Sequence, residues 1–469
     1  MATSGLALGT ERNEALDHGL ELLRAAWTEF DAARLMQPAV ERDTLRVDEP
    51  LPQRGEGVVA ALDAASQVLD QSLAQTRPRF FAYVGSSGLE SAVLADAMAH
   101  SYDVNMAGES GAADAVEKQA LRWVGEFVGF PAGGGAFTSG GMVSNLTALM
   151  AARTHALPRS RDEGMTVPAA LYASSESHSS VERAAEILGF GKRHLRSVPI
   201  DGSRRMNVAE LRLMIEADLS AGIVPVAVVA TGGTTLTGTV DPIGAIADVC
   251  EEFGVWLHVD GAYGLPAAAT ASKAHLFAGL DRANSVSVDA HKWMFVPKAC
   301  GVLLVREQVE LFEAFQHDAS YLVEHENYRH PVDGTLEYSR PFRSLKLWTA
   351  FRAHGADAFR VAVERDIELA VELAELVRAR PNMELLVESP DLSIVPFRRI
   401  PSRGDIDAHN HRLGELIQAD GRVFVASAVL DGKACLRPCI VNFRTSSDDV
   451  RALIDIAEEL GRDLEERGQ

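Results

Sequence analysis

Apolar positions near the start of the chain recur at the spacing of amphipathic helices. The pattern runs through residues 14–36 and again through 57–76, and a polar stretch with two prolines (46–57, RVDEPLPQRGEG) separates the two segments. Because residues three and four apart share one face of a helix, each segment predicts a helix with one apolar stripe. Such helices cannot bury a core alone. We therefore expect residues 1–85 to form a helical dimerisation segment that docks on the main body or on a second subunit.

The middle of the chain alternates helical patterns with short apolar runs. Several runs are apolar for four to six residues and rich in Val: 169–174 (AALYAS), 224–231 (VPVAVVAT), 255–260 (VWLHVD), 285–290 (SVSVDA) and 300–305 (CGVLLV). Runs of this kind are typical of parallel strands that helices cover on both faces. They predict a large α/β domain over residues 86–345.

The last part of the chain has a different pattern. A long helical stretch (344–380) is followed by strand patterns at 383–388, 392–397, 423–430 and 435–443, and by a closing helix at about 447–466. Strands grouped together and flanked by helices predict a small α+β domain over residues 346–469.

Composition narrows the class of partner. The 469 residues include 45 Lys and Arg against 66 Asp and Glu, a formal net charge of −21, which argues against nucleic acid or an anionic membrane surface as the main partner. Four cysteines, no basic and apolar leader and no run of ~18 apolar residues predict a cytoplasmic protein. His325 and His330 of HENYRH are five positions apart and do not share a helix face, so we expect no metal site.

Two charged residues end buried apolar runs. Asp260 follows VWLHV, and a carboxylate there must meet a cation or hydrogen-bond donors. It is a candidate partner for a protonated ring nitrogen, with a helix cap or a structural pair as the alternative. Lys292 follows SVSVDA, a setting in which lysines act as Schiff-base nucleophiles, and a lysine that merely extends to solvent is the alternative.

Two further features stand before predicted helices. The glycine-rich stretch 133–141 lets backbone N–H groups approach a phosphate, although many strand-to-helix turns are glycine-rich. His178 lies where a strand turns into a helix and could stack on a planar ring, or be structural. A lysine for an aldehyde, a carboxylate for a ring nitrogen, a helix terminus for a phosphate and a flat side chain together predict a pyridoxal phosphate site.

From about residue 75 onward, the sequence resembles the group II pyridoxal-phosphate-dependent amino acid decarboxylases, the family of aromatic-L-amino-acid and glutamate decarboxylases. The motifs that carry the resemblance are RPRFFAYV (77–84), GGGAFTSGGMVSN (133–145), HSSVERA (178–184), LHVDGAYG (257–264), DAHKW (289–293), YL (321–322) and FRSLKLW (342–348). The resemblance implies the type I fold of PLP-dependent transferases (aspartate aminotransferase-like). That fold has a large, mostly parallel-sheet α/β domain, a small C-terminal α+β domain and, here, an N-terminal helical segment.

The resemblance also implies roles for particular residues. Lys292 would hold the cofactor covalently, and Asp260 would bond the pyridine nitrogen. His178 and Ala262 would pack against the two faces of the ring. The remaining cofactor contacts that the resemblance implies, most of them to the phosphate, are Thr138, Ser139, Gly140, Gly141, Thr234, Ser287 and His291.

Catalysis and assembly follow from the same resemblance. Tyr321 corresponds to a tyrosine on a mobile loop that reaches the partner subunit's active site, so it joins Lys292, His178 and Asp260 as a catalytic candidate. The resemblance implies a homodimer with active sites at the subunit interface. The implied substrate contacts are Tyr83, Val84, Asn105 and Arg437.

The sequence departs from the family at several positions. Asp289-Ala290 stands where the animal enzymes have Asn-Pro, and we expect the Asp289 carboxylate to point away from the phosphate or to meet a cation. Gln75, Val84 and Asn105 stand roughly where the aromatic branch has large aromatic residues. Arg437 matches a carboxylate-binding position of the glutamate branch; Arg444 is a nearby alternative, and either one could instead form a structural ion pair.

Three functions remain open from the sequence. The leading hypothesis is an L-amino acid decarboxylase that releases CO2 and an amine, with an aromatic substrate favoured over an acidic one. The alternative is an aldehyde synthase that decarboxylates and oxidatively deaminates; that branch typically has phenylalanine where Tyr321 stands. A non-catalytic dimer is a remote alternative, because Lys292, Asp260 and His178 are all present.

Overall fold

The computed structural model describes residues 7–36, 40–45, 47–316 and 330–467. The helices are, in chain order, Arg12–Phe30 (α1), Arg42–Leu45 (α2), Val58–Asp70 (α3), Glu90–Tyr102 (α4), Ala112–Val128 (α5), Gly141–Ala156 (α6), Ser160–Glu163 (α7), Ser179–Ile187 (α8), Val208–Ser220 (α9), Ile243–Phe253 (α10), Gln308–Phe315 (α11), Ser344–Arg378 (α12), Ile406–Asp420 (α13) and Ser447–Glu466 (α14). The strands are Gly134–Thr138 (β1), Ala169–Ser174 (β2), Leu195–Val198 (β3), Val224–Thr231 (β4), Trp256–Asp260 (β5), Ser285–Asp289 (β6), Gly301–Val305 (β7), Met383–Leu385 (β8), Phe397–Arg399 (β9), Ala426–Leu430 (β10) and Lys433–Arg437 (β11).

A seven-stranded sheet forms the centre of the larger part of the molecule. Its strand order is β1-β7-β6-β5-β4-β2-β3, and neighbours from β6 to β3 are parallel. This confirms a mostly parallel α/β sheet. Strand β7 is antiparallel to both of its neighbours, so the expectation that run 300–305 is parallel was wrong. The reason is the short link from β6, which leaves no room for a crossover helix.

Strand β1 was not expected from the sequence, which indicated only a glycine-rich turn. Its glycines are required by close packing: a β-carbon at Gly135 would collide with the carbonyl oxygen of Leu303 on β7. Glycine has low strand propensity, so the pattern gave no strand signal.

Side chains alternate between the two covered faces of the sheet. On β5, Trp256 packs in the core beneath α6 and α8 with Leu149 and Val181. Leu257 and Val259 of the same strand belong to the core on the opposite face, with Ile246 of α10. Strand side chains alternate with period two, so both faces of β5 are buried.

A second sheet lies in the C-terminal part. It is antiparallel, with strand order β10-β11-β9-β8, and it shares a core with α12, α13 and α14 through residues such as Leu373, Leu413 and Leu453. Helix α12 is broken at Gly355, whose φ of +73° is not helical. The expected borders at 85/86 and 345/346 remain predictions.

The N-terminal helices leave apolar surface uncovered. Helices α1 and α3 are joined by a hydrogen bond of 2.6 Å from His18 to Asp63. Leu16, Leu69 and Met98 are nevertheless exposed in the single chain. Within the described residues, no helix has the length and apolar character that a membrane crossing requires.

Candidate active site

A cavity of about 310 Å³ opens at the carboxyl ends of the central strands. Ligands of open α/β sheets bind at this edge. The cavity is lined by Tyr83, Val84, Gly141, Met142, Asn145, His178, Ser180, Thr231, Gly233, Thr235, Asp260, Ala262, Tyr263, Asp289 and Lys292. Candidates from five distant sequence motifs therefore meet in one place.

The Asp260 carboxylate, at the end of β5, is buried and held by three donors. Asn145 Nδ2 donates to Oδ2 at 2.8 Å. Ser287 Oγ and the Ala262 N–H donate to Oδ1 at 3.1 and 3.2 Å. The three donors fix the position of the carboxylate, which lines the cavity where it can pair with a cation.

A chain of hydrogen bonds runs beneath the cavity to Asp260. Trp256 Nε1–H donates to Ser285 Oγ at 2.9 Å, and Ser285 Oγ lies 2.8 Å from His258 Nδ1. His258 Nε2 lies 3.0 Å from Asn145 Oδ1. Since the Asn145 amide nitrogen donates to Asp260, its oxygen must accept, and His258 must donate from Nε2. Every bond of the chain then points towards the carboxylate.

The protonation state of His258 fits this direction. Burial lowers the pKa of His258, and the neighbouring Asp260 carboxylate opposes the shift only in part. The ring is therefore neutral, with one donor and one acceptor nitrogen. Sequence reasoning missed His258 and Asn145, although the i, i+2 spacing of His258 and Asp260 on β5 already put both on one face.

His178 begins helix α8 and lines the cavity. Its Nδ1 accepts from the Ser180 N–H at 3.1 Å and lies 2.8 Å from Ser180 Oγ. Ser180 Oγ in turn accepts from Asn145 Nδ2 at 3.0 Å. These bonds orient the imidazole ring and leave its Nε2 to carry the proton.

Lys292 follows β6 in a turn and extends into the cavity. Its Nζ lies 2.9 Å from Asp289 Oδ2. We expected the Asp289 carboxylate to point away from the phosphate or to meet a cation. In the structure it meets a cation, the Lys292 amine.

The first turn of α6 forms a cradle beside Lys292. A β-carbon at Gly141 would lie 2.9 Å from Ala262 Cβ, so only glycine lets the helix N-terminus approach this closely. His291 Nδ1 accepts the Cys300 N–H at 3.1 Å, which leaves the ring proton on Nε2, and the ring lies beside Gly140. Burial lowers the pKa of His291, so the ring is neutral. The N–H groups of a helix N-terminus and an imidazole donor suit a phosphate.

Three side chains that we expected to contact the cofactor are hydrogen-bonded to other side chains of the protein. The parallel register pairs Ser287 with Asp260, so this hydroxyl supports the carboxylate instead of the cradle. Thr234 Oγ1 is bonded to Thr237 Oγ1 at 2.8 Å within a threonine turn, and its neighbour Thr235 lines the cavity in its place. Thr138 Oγ1 lies at the cradle but is paired with Ser144 Oγ at 2.7 Å. Ser139, next to it, is half-buried.

The expected substrate contacts divide into two groups. Tyr83 and Val84 line the cavity, whereas Arg437 donates to the carbonyl oxygens of Tyr83 and Thr235 and so braces the cavity rim. Arg444 is paired with Asp31 and Glu90, which fits the structural alternative.

Asn105 is not among the residues that line this cavity in the single chain. Asn105 Oδ1 accepts from the N–H groups of Ala107 and Arg340 at 3.0 and 3.3 Å. Tyr321 lies outside the described residues. Among the residues that are described, no cluster of three or more metal-ligating side chains occurs, and HENYRH falls largely outside them.

The fold and the cavity define a pyridoxal-phosphate enzyme of the type I fold. An amine for the aldehyde, a carboxylate with three donors for the ring nitrogen, and a glycine cradle with a neutral imidazole for the phosphate fit the cofactor group by group. The fit rests on buried polar groups that face the cavity, and the Asp289 carboxyl group also faces the cradle.

Comparison with known proteins defines the family. Residues 41–400 match the pyridoxal-dependent decarboxylase conserved domain. The chain is 32% identical over 428 residues to an aromatic-L-amino-acid decarboxylase of Bacillus atrophaeus (88% of this chain, 87% of the relative). It is 32% identical over 429 residues to an L-2,4-diaminobutyrate decarboxylase of Rhizobium meliloti strain 1021 (89% and 85%). The chain belongs to the pyridoxal-dependent decarboxylase family and is a PLP-dependent carboxy-lyase.

Solved structures agree on the fold. The crystal structure of Oryza sativa TDC with PLP and tryptamine has a TM-score of 0.91 at 26% identity, over 99% of this chain and 100% of that one. Relatives also include a phenylacetaldehyde synthase of a Rosa hybrid cultivar, 30% identical over 387 residues (77% and 75%). Family membership therefore leaves the substrate open.

Proposed function

We propose that this enzyme removes the α-carboxylate of an L-amino acid as CO2 and returns one proton to the α-carbon, which yields the corresponding amine. The observation that carries the proposal is the convergence of Lys292, Asp260 and His178 on one cavity at the carboxyl ends of the strands. Pyridoxal phosphate, when bound, supplies the electron-withdrawing ring that accepts the electron pair of the breaking bond.

The protein groups prepare this chemistry before substrate arrives. Asp260, with its donors fixed, stabilises positive charge at the ring nitrogen without reorganisation. His178 is oriented by Ser180 to lie flat against a bound ring. Proton delivery to the α-carbon we assign to Tyr321, or to a group that it positions, on the resemblance alone.

We favour an aromatic substrate. Supporting this, Tyr83 and Val84 contribute apolar surface to the cavity. Arg437 already donates from both terminal nitrogens to main-chain carbonyls, so it is a poor partner for a side-chain carboxylate. The similarity to an L-2,4-diaminobutyrate decarboxylase is the strongest argument against an aromatic substrate.

We also propose a homodimer with active sites at the interface. The exposed apolar residues of α1, α3 and α4 support it, since an amphipathic helix is stabilised when its apolar face packs against another element. Asn105 would then approach the partner's cavity. The cytoplasm remains the proposed location; the four cysteines, all free and buried thiols, fit a reducing compartment.

An aldehyde synthase remains the second candidate, favoured by the similarity to the rose enzyme. The tyrosine at position 321 argues for simple decarboxylation. A non-catalytic dimer is disfavoured by the intact set of Lys292, Asp260 and His178.

The test is product analysis with cofactor-loaded protein, with and without oxygen. The panel contains tryptophan, tyrosine, dopa, phenylalanine, glutamate, aspartate and 2,4-diaminobutyrate, and Lys292→Ala is the control. We expect one CO2 per amine, no peroxide, and the highest kcat/KM for an aromatic substrate. Oxygen-dependent aldehyde, ammonia and peroxide would establish the synthase instead. Activity on glutamate or diaminobutyrate alone would overturn the substrate proposal but leave the decarboxylase in place.

A further inference from the structure

Asp289 is a buried carboxylate that the chemistry described so far does not use. It ends strand β6 and is 2% exposed. Its Oδ2 lies 2.9 Å from Lys292 Nζ, and its Oδ1 has no hydrogen-bond partner among the residues that the structure describes. A buried carboxylate oxygen without a donor is costly, so it indicates a partner that arrives with a ligand.

The carboxylate faces the cradle at the start of α6. A β-carbon at Gly141 would lie 3.0 Å from Asp289 Oδ2, and one at Gly140 would lie 3.9 Å from Oδ1. His291 is on the same side, with Nε2 3.8 Å from Asp289 Oδ2. The helix N-terminus and the imidazole N–H attract an anion, whereas an ionised Asp289 repels it.

The surroundings supply little to offset that repulsion. Within the described part of the chain, the titratable side chains that interact with Asp289 include Lys292, His291, Lys298 and Cys300. Burial lowers the pKa of His291 and raises the pKa of Cys300 to about 12, so both are neutral. Desolvation and the Lys292 charge lower the pKa of Lys298. Lys292 is therefore the main counter-ion of Asp289. Its amine is also the group that would bond to the cofactor's aldehyde.

We propose that Asp289 is a proton-linked cofactor-binding residue. In the cofactor-free protein it is ionised and paired with Lys292. When the cofactor binds, the carboxyl group takes one proton from solution and donates its O–H to the phosphate. A neutral carboxyl group has one O–H to donate, as the side-chain amide of the Asn at the matching position of the animal enzymes has N–H groups, and it makes cofactor binding dependent on pH.

The proposal predicts a specific pH dependence of affinity. If one proton is taken up with the ligand, the dissociation constant rises by about tenfold per pH unit wherever the free carboxyl is ionised. Asn at position 289 donates without a proton, so its affinity should be flat with pH. Lys292 reacts with the aldehyde whether or not Asp289 is present, so the ratio of the two proteins' dissociation constants isolates the Asp289 contribution.

The test compares the full-length wild type with Asp289→Asn, and pyridoxal 5′-phosphate is the probe, so that Lys292 is present in both proteins. Its dissociation constant is measured by equilibrium dialysis between pH 7 and 9. We expect the affinity of the wild type to weaken roughly a hundredfold relative to Asp289→Asn across two pH units. Asp218→Asn is the matched control, because Asp218 is also a buried aspartate, bonded to Tyr172 and Arg196, and this variant should keep the wild-type slope.

A second measurement does not require the Asp289→Asn protein to fold. Calorimetry of the wild type and of Asp289→Ala in buffers of different ionisation enthalpy counts the protons taken up per bound cofactor, and we expect about one more for the wild type near pH 8. Equal proton uptake in the two proteins would overturn the proposal. Equal pH slopes with and without Asp289→Asn would also overturn it, because the proton would then reside on the phosphate.

Discussion

The charge at the centre of the site, the Asp260 carboxylate, is prepared by residues that need not touch the cofactor. Asn145 links it to the neutral His258, and Ser285 and Trp256 extend the same chain of donors across the sheet. A carboxylate fixed by donors can be aimed and kept ionised without help from water. Asn145 is thus a positioning residue for Asp260.

Substitution of Asn145 by Ala should lower kcat more than it changes KM. Losing a hydrogen bond to a charged group costs about 1.5–3 kcal/mol, so we expect kcat to fall by roughly 10- to 100-fold and the absorbance of the bound cofactor to shift with loss of ring-nitrogen protonation. The matched control is Asn284→Ala, because Asn284 accepts from the Leu257 N–H at 2.8 Å near the opposite end of β5. An equal loss in both variants would show that Asn145 acts only on folding.

At the scale of elements, the start of α6 decides how closely a phosphate can approach. Gly141→Ala would introduce a β-carbon 2.9 Å from Ala262 Cβ and 3.0 Å from Asp289 Oδ2. Overpacking of this kind costs about 1–3 kcal/mol, and we expect cofactor affinity to weaken by roughly 5- to 100-fold, measured by equilibrium dialysis. Gly202→Ala is the control, since nothing lies within 4 Å of its added β-carbon. Unchanged affinity in Gly141→Ala would contradict the assignment of this cradle.

The elements that the sequence predicted best are those with unbroken apolar runs. Runs 169–174 and 224–231 match β2 and β4 residue for residue, because period and burial agree there. Strand β1 escaped notice because its glycines serve close packing against β7. The direction of β7 depends on the length of a connection, which hydrophobic patterning does not encode.

The sequence predicted the charged residues of the site but not its neutral polar residues. Lys292 and Asp260 stand out because burying a charge is costly and requires a reason. Asn145 and His258 are polar residues inside apolar motifs, and their partners are fixed only when β5 meets α6. The bond from Ser287 to Asp260 was missed for the same reason, since the register between β5 and β6 sets it, and the expected contact of Ser287 with the cofactor stays a prediction.

At the scale of the whole molecule, the buried carboxyl group of Asp366 links helix α12 to the segment that carries Lys292. Trp293, next to Lys292, stacks on Tyr263 at 5.2 Å and donates from Nε1 to Asp366 Oδ2 of α12 at 2.8 Å. Burial raises the pKa of Asp366 to about 7, and the Trp293 bond opposes the shift only in part. The folded protein therefore holds a proton here that the unfolded chain loses near pH 4.

This proton links stability to pH with a definite sign. Between about pH 4 and pH 7 the unfolded state binds fewer protons at this position, so the free energy of unfolding should fall as pH rises, by up to about 4 kcal/mol for a shift of some three pKa units. Asp366→Asn keeps an acceptor for Trp293 and cannot titrate. In denaturant titrations from pH 4.5 to 7.5, we expect the variant to gain stability relative to the wild type as pH rises. A constant difference across that range would contradict the assignment.

The most direct test of the proposed active site is to identify which lysine holds the cofactor. Lys298 is an alternative attachment site. Desolvation and the Lys292 charge lower the pKa of Lys298, and a lysine with a lowered pKa is a competent nucleophile. Holoenzyme is reduced with borohydride, digested, and the peptides are sequenced by mass spectrometry. We predict that the reduced cofactor is attached to Lys292, with Lys298 unmodified and no attachment in Lys292→Ala. Stoichiometric attachment to Lys298 or to any other lysine would contradict the site proposed for this enzyme.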